Sequence, residues 1–325
     1  MRTVGSLAAR SLLTALAIVA GSAAVAGTAH ADDDASGNAF IDASTTLGAP
    51  VGSRTCGLRD GGCSRDHRYG SMVYSPRTGA EPVRGAIRSA WRDHGAEAGA
   101  LGYPLDAQAC REGTCTQQFE RGTVTRSKAG EVTVRLDIDD PAGTAVVVNK
   151  QRPLDPVAYV PEDLVSVDGL QLRRAAAASF EMLREAAAGD GAALAAVSGY
   201  RSHESQAQLY AGYTGRYGQA AADTISARPG HSEHQTGLAV DIAAPDGACT
   251  LQGCFADTAA GTWAAENAYR FGFIIRYPDG ASGTTGYAYE PWHLRFVGTD
   301  LARSMQKHQS ATLEEHLGLP PAADY

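Results

Sequence analysis

The apolar positions of this chain change rhythm along its length. Over residues 87–102 (IRSAWRDHGAEAGALG) they recur at helical spacing and then give way to glycines, which predicts a short helix ending in turns. Leu172, Ala176, Phe180 and Leu183 fall on one side of residues 170–188, with Arg173, Arg174, Glu181 and Arg184 elsewhere, so an amphipathic helix is expected across that whole span. Shorter helices are expected near 205–213, 260–271 and 300–307. Apolar runs at 194–197, 238–242, 273–277 and 294–297 read as strands, and Val146-Val147-Val148 opens a core. The mixture predicts an α+β fold, a small antiparallel sheet flanked by helices.

A second regularity lies upstream. Leu47-Gly48-Ala49-Pro50-Val51 is echoed by Leu101-Gly102-Tyr103-Pro104-Leu105 at an offset of 54, and Cys56 maps to Cys110 at the same offset. Cys63 maps to Cys115, and Gly70 to Gly122, at an offset of 52. Two copies of a small unit are therefore expected, each ending in a glycine-led strand. Gly85, Trp91, Gly95, Leu101-Gly102-Tyr103-Pro104, Phe119 and Gly122 make the second copy resemble the LGFP repeat of exported proteins, and Ala49 in the first departs from it. The resemblance implies association with a cell-envelope polymer. No chemistry is visible in this region, and a plain spacer is the alternative.

The chain has 325 residues, enough for a sizeable core but not for three ordinary domains. Residues 1–31 read as a secretory signal peptide: Arg2 and Arg10, a short apolar run over 12–20, then Ala29-His30-Ala31 as the cleavage site. Removing it leaves 26 basic and 36 acidic residues, a net charge of -10. That balance argues against nucleic acid as partner, and no later run is long enough to span a membrane. All six cysteines follow the signal segment, and an even count in an exported chain favours disulfides. Of the 15 pairings open to six cysteines, the sequence-local set is preferred: Cys56 with Cys63, Cys110 with Cys115, Cys249 with Cys254. Paired cysteines could instead hold zinc, but none of these pairs is Cys-x-x-Cys.

Two segments carry chemistry, PGHSEHQTGLAVDI at 229–242 and YEPWHLRFVG at 289–298. Asp241 sits in an otherwise apolar run, where a lone carboxylate is expensive unless it is paired or bound to a metal. His234 lies seven residues before it, and His293 three after Glu290. Three protein ligands and a water make a catalytic zinc site, so His234, Asp241 and His293 are assigned as ligands of one Zn2+ per chain. Glu290 is then the spare carboxylate, free to take a proton from the attacking water and pass it to the leaving amine. Pro291 breaks strand alternation, so Glu290 and His293 need not face opposite ways. Other assignments stay open: His231 in place of His234, Glu233 as the base, a metal-free His/Asp network, or a serine nucleophile at Ser232 or Ser198.

Together with SGYRS at 198–202, Gln206, GFIIRYP at 272–278, Thr285-Gly286 and Leu313-Glu314-Glu315, these segments resemble the VanY-type D-alanyl-D-alanine carboxypeptidases of the M15 zinc peptidases. The resemblance covers about residues 146–319. It implies the small α+β fold shared with the D-Ala-D-Ala dipeptidases and the hedgehog signalling domain. It puts the zinc ligands on His234, Asp241 and His293, the catalytic Glu on Glu290, and the substrate-binding Arg on Arg201. Ser232, Gln206, Tyr277 and Trp292 are expected around the substrate, Gln206 more as a brace than beside the metal. The substrate implied is the peptidoglycan stem peptide, cut before its terminal D-alanine. L,D-carboxypeptidase or endopeptidase action at the same site is the alternative, and a non-catalytic envelope-binding protein is the rival of another class. The expected organisation is a signal peptide (1–31), two repeats (32–127), a linker (128–145), a peptidase domain (146–319) and a short tail (320–325), in a monomer.

Overall fold

A computed structural model of the protein describes residues 47–325. The expected signal peptide lies outside the described residues. Strands β1 (Thr55–Leu58), β2 (Gly62–His67), β3 (Gly70–Ser75) and β4 (Gly79–Arg84) form an antiparallel meander. Helix α1 (Gly85–Asp93) follows, and then a second meander of β5 (Ala109–Arg111), β6 (Thr114–Phe119), β7 (Gly122–Arg126) and β8 (Val132–Leu136). The stretch read as a linker thus contains a strand that completes the second sheet. Val132, Val134 and Leu136 alternate there with Thr133 and Arg135, a strand pattern directly followed by an Asp-rich run that reads as breaking regular structure.

The two meanders repeat in detail. Pro50 bridges to His67 in one, and Pro104 to Phe119 in the other. Cys56 and Cys63 face each other across β1 and β2, Cys110 and Cys115 across β5 and β6, and both pairs are disulfides, as is Cys249–Cys254. The repeated leucine and glycine also meet. A Cβ at Gly70 would lie 2.6 Å from the Val83 carbonyl oxygen and 2.9 Å from Leu47. At Gly122 it would lie 2.4 Å from the Arg135 carbonyl oxygen and 3.1 Å from Leu101. Neither backbone oxygen can yield without breaking a ladder. Gly70→Ala is therefore expected to lower stability by about 1–3 kcal/mol, read as a shift of the urea midpoint; an unchanged midpoint would contradict this packing.

The peptidase region begins with a hairpin, β9 (Leu164–Val167) and β10 (Leu170–Arg173), followed by α2 (Arg174–Gly189). The helix expected from residue 170 therefore starts four residues later. Asp168 and Gly169 both have positive φ, 49° and 82°, the backbone of a two-residue hairpin turn. An Asp-Gly pair signals that turn, but Leu172 also falls in line with Ala176, Phe180 and Leu183, and local periodicity could not choose between strand and helix for it. Then come β11 (Ala195–Ser198), α3 (His203–Tyr217), α4 (Gln219–Ile225), β12 (Ala239–Ala243), α5 (Ala259–Asn267), β13 (Phe273–Tyr277), α6 (Ser282–Thr285), β14 (Glu290–Phe296), α7 (Thr299–His308) and α8 (Leu313–Leu317). The antiparallel sheet runs β11-β12-β14-β13. Leu172, Phe180 and Leu183 pack under it with Val240, Ile242, Phe273 and Leu294.

The repeats are not tethered loosely to this unit. Trp91, Leu101 and Tyr103 share one apolar cluster with Ile274, Val297, Met305, Leu313 and Leu317. Arg59 donates to the His316 carbonyl at 2.8 Å, and Lys307 to Asp60 at 3.0 Å. No helix among the described residues is long and apolar enough to cross a membrane.

Candidate metal centre and active site

The sheet assembles the site. A one-residue irregularity in β11 sets Ser198 opposite Asp241, and Asp241 is opposite His293 on β14. Directly opposed residues share a face, so these three form a row across three strands. His234 enters from the turn Glu233–Thr236, which Gly237 ends with φ 66° before the chain joins β12. On the far side, Ile275 pairs with Leu294 but Tyr277 with Glu290. β14 therefore fits three residues, Pro291 to His293, across from Arg276 alone. This bulge brings Glu290 back to His293, with its Oε2 3.7 Å from Nδ1.

Nε2 of His234 lies 3.2 Å from one Asp241 oxygen, and Nδ1 of His293 lies 3.1 Å from the other. The two imidazoles meet edge to face, their centroids 5.0 Å apart. Their remaining nitrogens are taken: His234 Nδ1–H donates to the Gly199 carbonyl at 2.7 Å, and His293 Nε2–H points at Glu233 Oε2 at 3.4 Å. Each ring is thus left with one nitrogen aimed at the carboxylate. All three residues are buried, and their ligand atoms lie within 4.8 Å of one another. It is the one such group found among the described residues. Asp241 Oδ1 is buried yet accepts no hydrogen bond. Two imidazole nitrogens and a carboxylate converging in this way suit a cation, and the donor set suits zinc. Bound there, zinc would supply Lewis acidity, acidifying water and polarising a carbonyl.

The electrostatics separate the carboxylates. Burial pushes Glu290 up to about 7, although His293 pulls the other way. Burial would also raise Asp241, but His234 and His293 outweigh it and hold the carboxylate far below its usual range. Glu233 is likewise held far below it, burial being overcome by the guanidinium groups of Arg295 and Arg276. Burial drives His234 down, whereas its carboxylate neighbours overcome burial at His293 and carry it up to about 10. Of the two candidate bases, only Glu290 is free of a fixed cation and partly open to the cleft.

That cleft, about 350 Å³, is lined by Arg201, Ser232, Tyr277, Trp292 and Glu290 beside the metal group. Arg201 donates to Gln206 Oε1 at 2.9 Å and to Ser198 Oγ at 3.0 Å. Gln206 reaches the cleft wall, but its NH2 group is engaged by Ser226 and the Ala227 carbonyl. Its amide is fully occupied in bracing Arg201, so it does not offer the substrate a free group. The Tyr277 ring lies 4.9 Å from that of His293 and is almost wholly buried. His231 is no substitute for His234: its Nδ1 is bound to the Asn149 carbonyl at 2.8 Å, and its ring abuts Tyr325. The residues that sequence reasoning passed over are Arg276 and Arg295, both fully buried on Glu233. An arginine inside each of two apolar strand runs was the signal, since a buried guanidinium demands a carboxylate.

Comparison with known proteins agrees with this geometry. The VanY family model, described as D-alanyl-D-alanine carboxypeptidase, matches residues 169–299, and the LGFP repeat model matches residues 47–99. YodJ of Bacillus subtilis is 41% identical over 189 residues, 55% of this chain and 68% of that protein. A D-alanyl-D-alanine carboxypeptidase of Enterococcus faecalis is 37% identical over 188 residues, 55% of this chain and 67% of that one. Among solved structures, the LdcB LD-carboxypeptidase is 40% identical with a TM-score of 0.52, over 55% of this chain and 87% of that one. A row of Ser198, Asp241 and His293, a second histidine from the preceding turn and a buried Glu290 beside them thus place the chain in the VanY-type, M15 family of zinc D-alanyl-D-alanine carboxypeptidases, with an LGFP-repeat region ahead of the peptidase fold.

Proposed function

We propose that the protein is an exported zinc D,D-carboxypeptidase that removes the terminal D-alanine from peptidoglycan stem peptides. The observation that carries this reading is the buried His234, Asp241 and His293 group with Glu290 and Arg201 in the same cleft. In this reading the three are the metal ligands. Glu290 takes a proton from the attacking water and delivers it to the departing amine, a role helped by a carboxyl raised towards neutrality. Arg201, held by Gln206 and Ser198, keeps guanidinium hydrogens available for the substrate's carboxylate or the developing oxyanion. Ser232, Tyr277 and Trp292 shape the walls around the peptide.

The repeats, read as two units followed by the peptidase domain, hold the enzyme against an envelope polymer, and the chain works as an exported monomer. L,D-carboxypeptidase action is the second reading, favoured by the likeness to an LD-carboxypeptidase at 40% identity. Mass spectrometry of defined pentapeptide and tetrapeptide stems, with and without chelator, separates the two. Loss of one D-alanine from the pentapeptide alone is the expected result. Cleavage of the tetrapeptide moves the assignment to the second reading, and no cleavage by zinc-loaded protein removes both.

A further inference from the structure

We propose that Glu233 is a positioning residue for the metal centre, holding the Nε2–H of His293 so that Nδ1 faces the ligand group. The inference rests on the zinc reading of the site. The two oxygens of Glu233 have different work. Oε1 accepts from Arg276 Nε at 2.8 Å and from Arg295 Nη1 at 2.7 Å. Oε2 is left to His293, at 3.4 Å. The arginines cannot swing away, because their other donors are engaged. Arg276 grips both oxygens of Glu314 at 2.9 and 2.6 Å, and Arg295 donates to the carbonyls of Phe296, Thr144 and Val146. Glu314 also accepts from Asn149 at 2.9 Å.

All four charged members are buried, two positive and two negative, so the charges balance inside the fold. They come from four segments: the turn at 233–236, β13, β14 and α8. The carboxylate is therefore held by two anchored guanidinium groups before it meets His293. Glu233 also precedes His234 in the chain, so one turn sets both histidines, one through the backbone and the other through a hydrogen bond. A partner that fixes a ligand ring's tautomer and orientation typically changes metal affinity about 10- to 100-fold when removed. α8 shares an apolar cluster with Trp91 and Leu101, so the far end of this clamp rests on the repeat region.

The test compares Glu233→Gln with Glu314→Gln in the full chain. Both remove one buried charge from the clamp, but only the first touches His293. Zinc affinity, measured by competition with a chelating dye, is expected to fall about tenfold or more in Glu233→Gln. In Glu314→Gln the loss should be several-fold smaller, since its carboxylate reaches the ligand only through Arg276 and Glu233. Parent-like affinity in Glu233→Gln, or equal losses in both variants, overturns the proposal. A parent protein that binds no zinc overturns the zinc reading with it. If Glu233→Gln does not fold, nitrogen-15 spectra of the zinc-loaded parent decide. The expected His293 carries its proton on Nε2 and coordinates through Nδ1, and coordination through Nε2 overturns the proposal.

Discussion

Glu290→Ala lowers turnover of a pentapeptide stem by about 100- to 10,000-fold, the span general acid–base groups contribute, while zinc stays bound. The split follows from where Glu290 sits. It approaches His293 Nδ1 at 3.7 Å but lies outside the set of His234, Asp241 and His293. Its charge attracts His293 and repels Asp241, so its removal acts on the ligand group in opposite senses. Neither of the other carboxylates lining the cleft can take its place. Glu233 is fully buried and tied to two arginines, and Asp241 is committed between two histidines. Initial rates on the pentapeptide, with metal content measured on the same sample, check this. Full activity would sink the assignment of Glu290 as base, and zinc lost along with activity would make it a ligand instead.

Asp241→Asn is expected to remove both zinc and activity. The carboxylate is the negative charge between two imidazoles, and burial leaves water little room to replace it. Breaking a buried charge pair on one side costs about 3–5 kcal/mol, which is roughly 150- to 4,000-fold in affinity at 1.4 kcal/mol per tenfold. The amide that replaces it also turns an N–H towards one of the two nitrogens that should face the metal. Metal content after dialysis against a weak chelator, and restoration of activity by excess zinc, are the measurements. A variant that keeps stoichiometric zinc under those conditions would exclude Asp241 from the ligand set. Together the two variants separate a group that moves protons from one that holds the metal.

The ligand set was legible in the sequence because each of its two segments carries its own chemical signal. A carboxylate inside an apolar run has to be paired, His234 lies seven residues before it, and His293 stands in the second segment beside a spare carboxylate. The sheet explains why that worked: Asp241 and His293 are direct cross-strand neighbours. The sequence assigned the base to Glu290 and kept Glu233 as an alternative, but no local pattern gives the physical ground that favours one over the other. Both are glutamates beside a ligand in sequence, and what separates them is which one two distant arginines reach. Likewise, Leu172 fits the face of the following helix as well as a strand, and only pairing with residues 164–167 decides for the strand.

By itself the sequence determined the repeats, the local disulfides, the order of the chemical segments and the family, all consequences of short-range spacing and of side-chain chemistry that survives any folding context. The tertiary structure alone decided the bulge that turns Glu290 towards His293, the clamp on Glu233, and the apolar cluster that joins the repeats to the peptidase sheet. These depend on strand register and on contacts between residues far apart in the chain. A one-residue change of register moves a side chain to the other face of a sheet, and no local pattern specifies that choice.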